Sequence, residues 1–181
     1  MSKHPMLTII NIILTLVIIV LIVAIVALLW LISPMRVEGD SMRDTLQDND
    51  IIWVQKVNFK LSVGDIVVFR RPNSDGPPVK RIIAMEGDTV LFDKQKGWIV
   101  NGKVLEEKYL TTMAGGYMDN YLDSDHQDTL VRTLLTTTGL IVKKDELFVL
   151  GDNRNVSYDS HVYGCINKSW IIGKVLIKTK E

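Results

Sequence analysis

From Leu7 to Ile32 the chain carries no Asp, Glu, Lys or Arg, and the polar interruptions of that run are Thr8, Asn11 and Thr15. At about 1.5 Å per residue a helix of this length spans roughly 39 Å, more than the roughly 30 Å hydrocarbon core of a bilayer. Apolar residues on every face, rather than on one stripe, argue against a helix buried in a soluble core. A cleavable signal peptide has a shorter apolar core of about 7–15 residues followed by a small-x-small site. Here the run is longer and Ser33-Pro34-Met35-Arg36 offers no such site. The sequence therefore predicts a short cytoplasmic segment at 1–6, an uncleaved membrane anchor at 7–33 and a domain at 34–181. Lys3, the terminal amine and His4 precede the span and Arg36 follows it. That balance slightly favours a cytoplasmic N-terminus. The lipid bilayer is thus the first expected partner.

The residues beyond the anchor are enough for one compact domain with its own core. Lys+Arg and Asp+Glu are equal at 21 each, so no basic stripe points to nucleic acid. A single cysteine, Cys165, excludes an intramolecular disulfide; it follows a glycine in an apolar stretch and reads as a small core residue. His4, His126 and His161 lack metal-ligand spacing, and no glycine loop suited to phosphate is present. No metal or cofactor is expected.

The domain reads as mostly β. Ile51–Val54, Asp65–Phe69, Val79–Met85, Thr89–Phe92, Leu147–Leu150 and Trp170–Ile177 are short apolar or β-branched runs. Gly, Asp and Asn turns separate them. Gly97–Val100 and Lys103–Leu105 flank Asn101-Gly102, which predicts a type I′ hairpin. Together these runs predict a β-barrel or sandwich-like catalytic domain. The stretch 111–138, rich in Gly, Asp and Thr, reads as a surface excursion; its Asp119, Asp123, Asp125 and Asp128 lack the EF-hand calcium spacing.

Two side chains beyond the span suggest chemistry. A serine hydroxyl is a weak nucleophile until a base removes its proton. Lysine serves as that base only when neutral, and its ordinary pKa of about 10.4 leaves on the order of one molecule in a thousand neutral near pH 7.4. Burial lowers a lysine pKa by several units. Ser41 lies just past the span, and Lys80 sits in the apolar run Val79–Met85. Strand alternation puts Lys80, Ile82 and Ala84 on one face and Arg81 on the other; the Lys80 face can be the core side with Arg81 outward, while the local pattern by itself favours an ordinary exposed strand lysine.

Four blocks in order strengthen this pairing: V-E-G-D-S-M-R-D-T-L (37–46), G-D-I-V-V-F-R-R-P (64–72), V-K-R-I-I-A-M-E-G-D (79–88) and G-D-N-R-N-V-S-Y-D-S-H-V-Y-G (151–164). Behind a membrane anchor, this set resembles the bacterial type I signal peptidases, the Ser–Lys leader peptidase family. The resemblance runs from the anchor almost to the C-terminus. It implies a serine endopeptidase that removes signal peptides from exported preproteins, cutting after small residues at the first and third positions before the scissile bond. It implies Ser41 as nucleophile, Lys80 as general base, and Ser157 as a hydrogen-bond partner that orients the lysine amine. Asp159 would hold the site's shape, while Gly151 and Asp152 would pack beside the lysine. The Ser41 N–H would meet the oxyanion. The substrate strand would lie along Val37, Glu38 and Asp40 and along the strand at Val79, giving main-chain pairing with little sequence demand.

The chain departs from the family pattern at three positions. Gly39 stands where some members place a serine hydroxyl toward the oxyanion, Asp44 replaces a proline, and His161 replaces an arginine. These leave Ser41, Lys80 and Ser157 in place and suggest a specialised member; a non-hydrolytic binding or assembly factor is the alternative. Eukaryotic-type relatives carry histidine at the position of Lys80. Self-cleaving repressors share a Ser–Lys pair but lack the anchor. Ser41 lies nine residues past Ile32, an extended reach of about 30 Å. That tether keeps the site near the outer leaflet.

Overall fold

The structure is a computed structural model and describes residues 5–43, 45–72, 74–110 and 129–179. Asp44 and the aspartates at 119, 123, 125 and 128 lie outside the described residues, as does His126.

Helix α1 spans Pro5–Leu31, and its side chains from Met6 to Leu31 are exposed, as expected of a segment that packs against no protein core. It stops at Leu31. Ser33 precedes Pro34, which disfavours helical backbone, and Pro34 has no N–H to continue the ladder. Ile32 and Ser33, placed in the anchor from sequence, instead begin strand β1 (Ile32–Arg36). The chain therefore passes from helix to sheet without a linker.

The strands that follow are β2 (Ile51–Gln55), β3 (Ile66–Phe69), β4 (Val79–Met85), β5 (Thr89–Asp93), β6 (Gly97–Val100) and β7 (Lys103–Val104). Next come helix α2 (Thr129–Thr136), β8 (Leu140–Ile141), β9 (Glu146–Leu150) and a one-turn helix α3 (Ser160–Tyr163). Strand β10 (Ile166–Asn167), a 3-10 turn (Lys168–Trp170) and β11 (Ile171–Thr179) complete the chain. All pairings are antiparallel. One sheet has the order β1-β2-β11-β3-β4-β9-β10 and the other β7-β6-β5-β8. The domain is mostly β, as the sequence indicates. Asn101 and Gly102 both have positive φ, 51° and 75°, which the type I′ turn between β6 and β7 requires.

Three apolar clusters hold the domain. Val37, Met42, Leu46, Ile52, Val54 and Val68 form one on the nucleophile side of the large sheet. Val67, Phe69, Ile82, Leu147, Val149 and Ile166 cover its other face. The third joins the sheets around Trp98, whose ring meets Phe92 edge-on at 4.9 Å and Phe148 at 5.5 Å. Helix α2 corrects part of the expected surface excursion: Val131 and Leu135 pack into this third cluster, so one face of residues 129–136 joins the core. The apolar spacing at 131 and 135 was a helical signal within the polar stretch.

Candidate active site

Ser41 sits in the turn that leaves β1, and its neighbour fixes it. The Met42 side chain is buried in the first cluster, and its carbonyl accepts the N–H groups of Thr45 and Leu46 at 2.9 and 2.7 Å. From the other side the Asn153 N–H donates to the Ser41 carbonyl at 3.0 Å, and the Asp152 N–H reaches Met42 Sδ at 3.4 Å. The Ser41 turn is thus tied to the loop that follows β9.

Lys80 enters from β4, where it pairs with Val67 of β3. Its side chain is 4% exposed. Nζ lies 2.6 Å from Ser41 Oγ and 3.0 Å from the Val79 carbonyl. Burial lowers the lysine pKa below its ordinary value; the carboxylates of Asp159 and Asp152 oppose that shift, and the Arg71 guanidinium assists it. The geometry suits proton transfer from the hydroxyl to a neutral amine.

Gly151 separates Ser41 from Ser157. A Cβ there would overlap both the Ser157 hydroxyl and the Ser41 carbonyl oxygen. Ser157 is buried beside this contact, but its hydroxyl does not bond to Lys80; the amine's partners are Ser41 and Val79. Asp159 is fully buried and caps α3. It accepts the Gly151 N–H at 2.8 Å and the His161 N–H at 3.2 Å, and its Oδ1 lies 2.7 Å from His161 Nδ1. Burial alone would raise its pKa, but the hydrogen bond and charge of His161 and the Gly151 N–H hold it below the usual value. His161 is thus tied to the Asp159 carboxylate through both its N–H and its ring.

Two expected placements, those of Arg81 and Val37, are corrected. Arg81 does not point to solvent. It is buried, with Nε 2.9 Å from Asp152 Oδ1 and Nη2 2.6 Å from Oδ2, and it donates to the Gly64 carbonyl at 2.8 Å. Strand alternation failed as a guide because both faces of β4 are covered by protein. Asp152 is accordingly the acceptor of a bidentate ion pair, joined by Thr45 Oγ1 at 2.5 Å. Val37 cannot pair with a substrate strand: its N–H donates to Asp50 and its carbonyl accepts from Asn49, both at 2.9 Å, while its side chain is core. Gly39 likewise has its N–H committed to Asp48 Oδ1 at 2.8 Å, so it supplies no second oxyanion donor. Glu38 and Asp40 are exposed beside Ser41. Val79 pairs with Val68 on one edge only, because β9 pairs with β4 from Arg81 onward.

Sequence reasoning missed a second buried pair. Arg154 is fully buried, is paired with Glu107, and donates through Nε to the Gly151 carbonyl at 2.9 Å. Tyr109 donates to Glu107 at 2.9 Å, and its ring lies under Arg81 at 4.0 Å. Arg154 stands inside the last of the four blocks, which was a usable signal; nothing around Glu107 announced it. Cys165 is half-buried with its thiol pKa raised to about 12 by burial, so it is no competing nucleophile.

Residues 9–179 match the model of the family described as signal peptidase, peptidase S26. The chain belongs to this family. It is a hydrolase of the type I signal peptidase class. Signal peptidase IB of Staphylococcus aureus (strain COL) is 34% identical over 151 residues, covering 81% of this chain and 76% of that protein. Signal peptidase I of Bacillus caldolyticus is 35% identical over 151 residues, with 81% and 79% covered. The crystal structure of a signal peptidase I from Enterococcus faecalis V583 superposes with a TM-score of 0.50 at 31% identity. It covers 66% of this chain and 98% of that one. The likeness to the solved signal peptidase structure includes the mostly β fold.

Proposed function

We propose that this protein removes N-terminal signal peptides from exported preproteins by a Ser41–Lys80 dyad, cutting after small residues at −3 and −1. The observation that carries this reading is the 2.6 Å contact between Ser41 Oγ and a buried Lys80 Nζ whose pKa is lowered by desolvation. Neutral Lys80 takes the Ser41 proton as Oγ attacks the scissile carbonyl. The resulting ammonium returns that proton to the departing amine of the mature protein, leaving the signal peptide as an ester on Ser41. Lys80 then takes a proton from water, and the hydroxide releases the ester as a carboxylate, returning the proton to Ser41 Oγ. The Ser41 N–H donates to no group among the described residues and faces the role of oxyanion donor. The unpaired edge of β4 at Val79 is the proposed rail for the substrate strand, with Glu38 and Asp40 opposite. Asp159 and Asp152 position the loop that holds the dyad.

Helix α1, 27 residues of uncharged apolar surface, serves in this reading as a single-pass anchor with the N-terminus in the cytoplasm and the domain outside. Cleavage of a preprotein in detergent by wild type, Ser41→Ala and Lys80→Arg tests the dyad. Both variants should lose turnover without unfolding, since a guanidinium stays protonated. Substantial cleavage by Lys80→Arg would overturn the assignment. Protease added to intact wall-stripped cells should reach the domain; protection until the membrane is broken would reverse the topology.

A further inference from the structure

A cleft of about 560 Å³ opens between the chain leaving β3 and the turn that enters β11. Arg70 and Arg71 form one wall and Ser169, Trp170 and Ile171 the other. The Arg70 N–H donates to the Trp170 carbonyl at 2.8 Å and closes the floor. No carboxylate lines the cleft, and neither arginine has an acidic partner among the described residues. The Arg70 side chain is exposed. The Arg71 guanidinium is held in place over the rings of Tyr163 and Tyr158, 4.3 and 4.9 Å from their centroids. A guanidinium held over two rings beside an exposed one suits an anionic ligand.

The sheet register shows where this cleft lies. Leu31, the last residue of α1, accepts the Lys56 N–H at 2.8 Å. Ile32 pairs with Gln55, Gln55 with Lys174, and Lys174 with Val67. Beyond that row, β3 ends and β11 begins, at Phe69 paired with Ile171. The cleft therefore opens on the sheet end at the foot of α1. The exposed Lys56, whose N–H meets the Leu31 carbonyl, stands at the same end.

We propose that this cleft binds the phosphate-bearing headgroup of an anionic membrane lipid. The guanidiniums would meet the phosphodiester, and the Trp170 indole and the isoleucine wall would take the glycerol and the first methylenes, an arrangement suited to the depth where headgroups meet acyl chains. The inference rests on α1 being a membrane anchor.

The test reconstitutes the full-length protein into phosphatidylcholine vesicles carrying a minor fraction of photoactivatable phosphatidylglycerol, and maps the labelled peptides by mass spectrometry. Label should appear on the segments 70–72 and 169–172, and should be weak with photoactivatable phosphatidylcholine. Arg70→Gln should reduce it about fivefold, Arg70→Gln with Arg71→Gln further, and Arg70→Lys should restore part of it. Label on α1 should be unchanged in every variant. Equal labelling by the two lipids, or labelling indifferent to Arg70→Gln, overturns the proposal. So does loss of label on adding excess inorganic phosphate, which would mark a site for a soluble anion. A silent cleft with labelled α1 overturns this inference alone, whereas an unlabelled α1 overturns the anchor reading as well.

Discussion

In the proposed reaction, Lys80 is useful because it is costly to the fold. An amine 4% exposed is desolvated, and desolvation is the leading cause of its lowered pKa. Activity should therefore rise with pH through a single ionisation lying below the ordinary lysine value of 10.5. A pH profile of kcat/KM measures it; an acid limb centred at the ordinary value would contradict the burial. The linkage sign follows from the same shift. The unfolded chain holds the lysine proton at pH values where the folded chain has released it, so the native state is disfavoured below 10.5 and that penalty fades as pH rises toward it. Lys80→Met should abolish turnover yet stabilise the protein by up to about 2 kcal/mol at neutral pH. Thermal melts across pH should show this gain shrinking in alkali. Gly151→Ala makes the opposite forecast. Its new Cβ has to displace the Ser41 carbonyl or the Ser157 hydroxyl, and a shift near 1 Å at the nucleophile costs about 10²-fold in rate. A fold with normal melting and unimpaired preprotein cleavage in Gly151→Ala would show that the site tolerates the displacement.

At the scale of elements, the site is a junction between the turn after β1, the start of β4 and the loop after β9. Lys80 comes to Ser41 across 39 residues of sequence, and Arg81 to Asp152 across 71. The meeting of Ser41 and Lys80 was legible because each stands in a distinctive local run. The direction of Arg81 was not, since period-two alternation assigns a solvent face only when one face of the sheet is open, and β4 is covered on both. Ser157 shows a second limit. Its place beside the dyad was foreseen, but whether its hydroxyl points to Lys80 depends on a rotamer that the backbone does not fix. Helix α2 shows a third, because two buried side chains in a polar stretch leave a weak pattern until the facing sheet is known. The Arg81–Asp152 pair is buried, with side chains 11% and 1% exposed, so removing one partner strands a charge. Asp152→Ala should cost about 3–5 kcal/mol, readable in denaturant melts, against little for an exposed pair. Leu135→Ala should cost about 2–5 kcal/mol by emptying the α2 side of the Trp98 cluster. A loss under half a unit would mean that α2 does not pack as described.

At the scale of the molecule, the absence of a linker between α1 and β1 joins anchoring to folding. The chain leaves the helix at Leu31 and is already the edge strand of the catalytic sheet at Ile32. All five β1 residues pair with β2, and half-buried Met35 packs on the cluster that holds Met42. The helix itself touches no core, so its removal should leave the domain intact, while removal of β1 should not. A chain beginning at Ile32 should stay folded in mild detergent and cleave a soluble peptide substrate. A chain beginning at Val37 loses the edge pairing and uncovers the nucleophile-side cluster. It should lose about 3 kcal/mol or more. For a domain of this size that lowers Tm by roughly 6–12 °C. Cleavage should fall further than stability, because Ser41 lies only five residues past Arg36 and its turn is positioned by the strand that precedes it. Equal melting temperatures for the two truncations would show that β1 contributes nothing to the sheet. Equal melting with lost cleavage in the shorter chain would confine the role of β1 to holding the nucleophile.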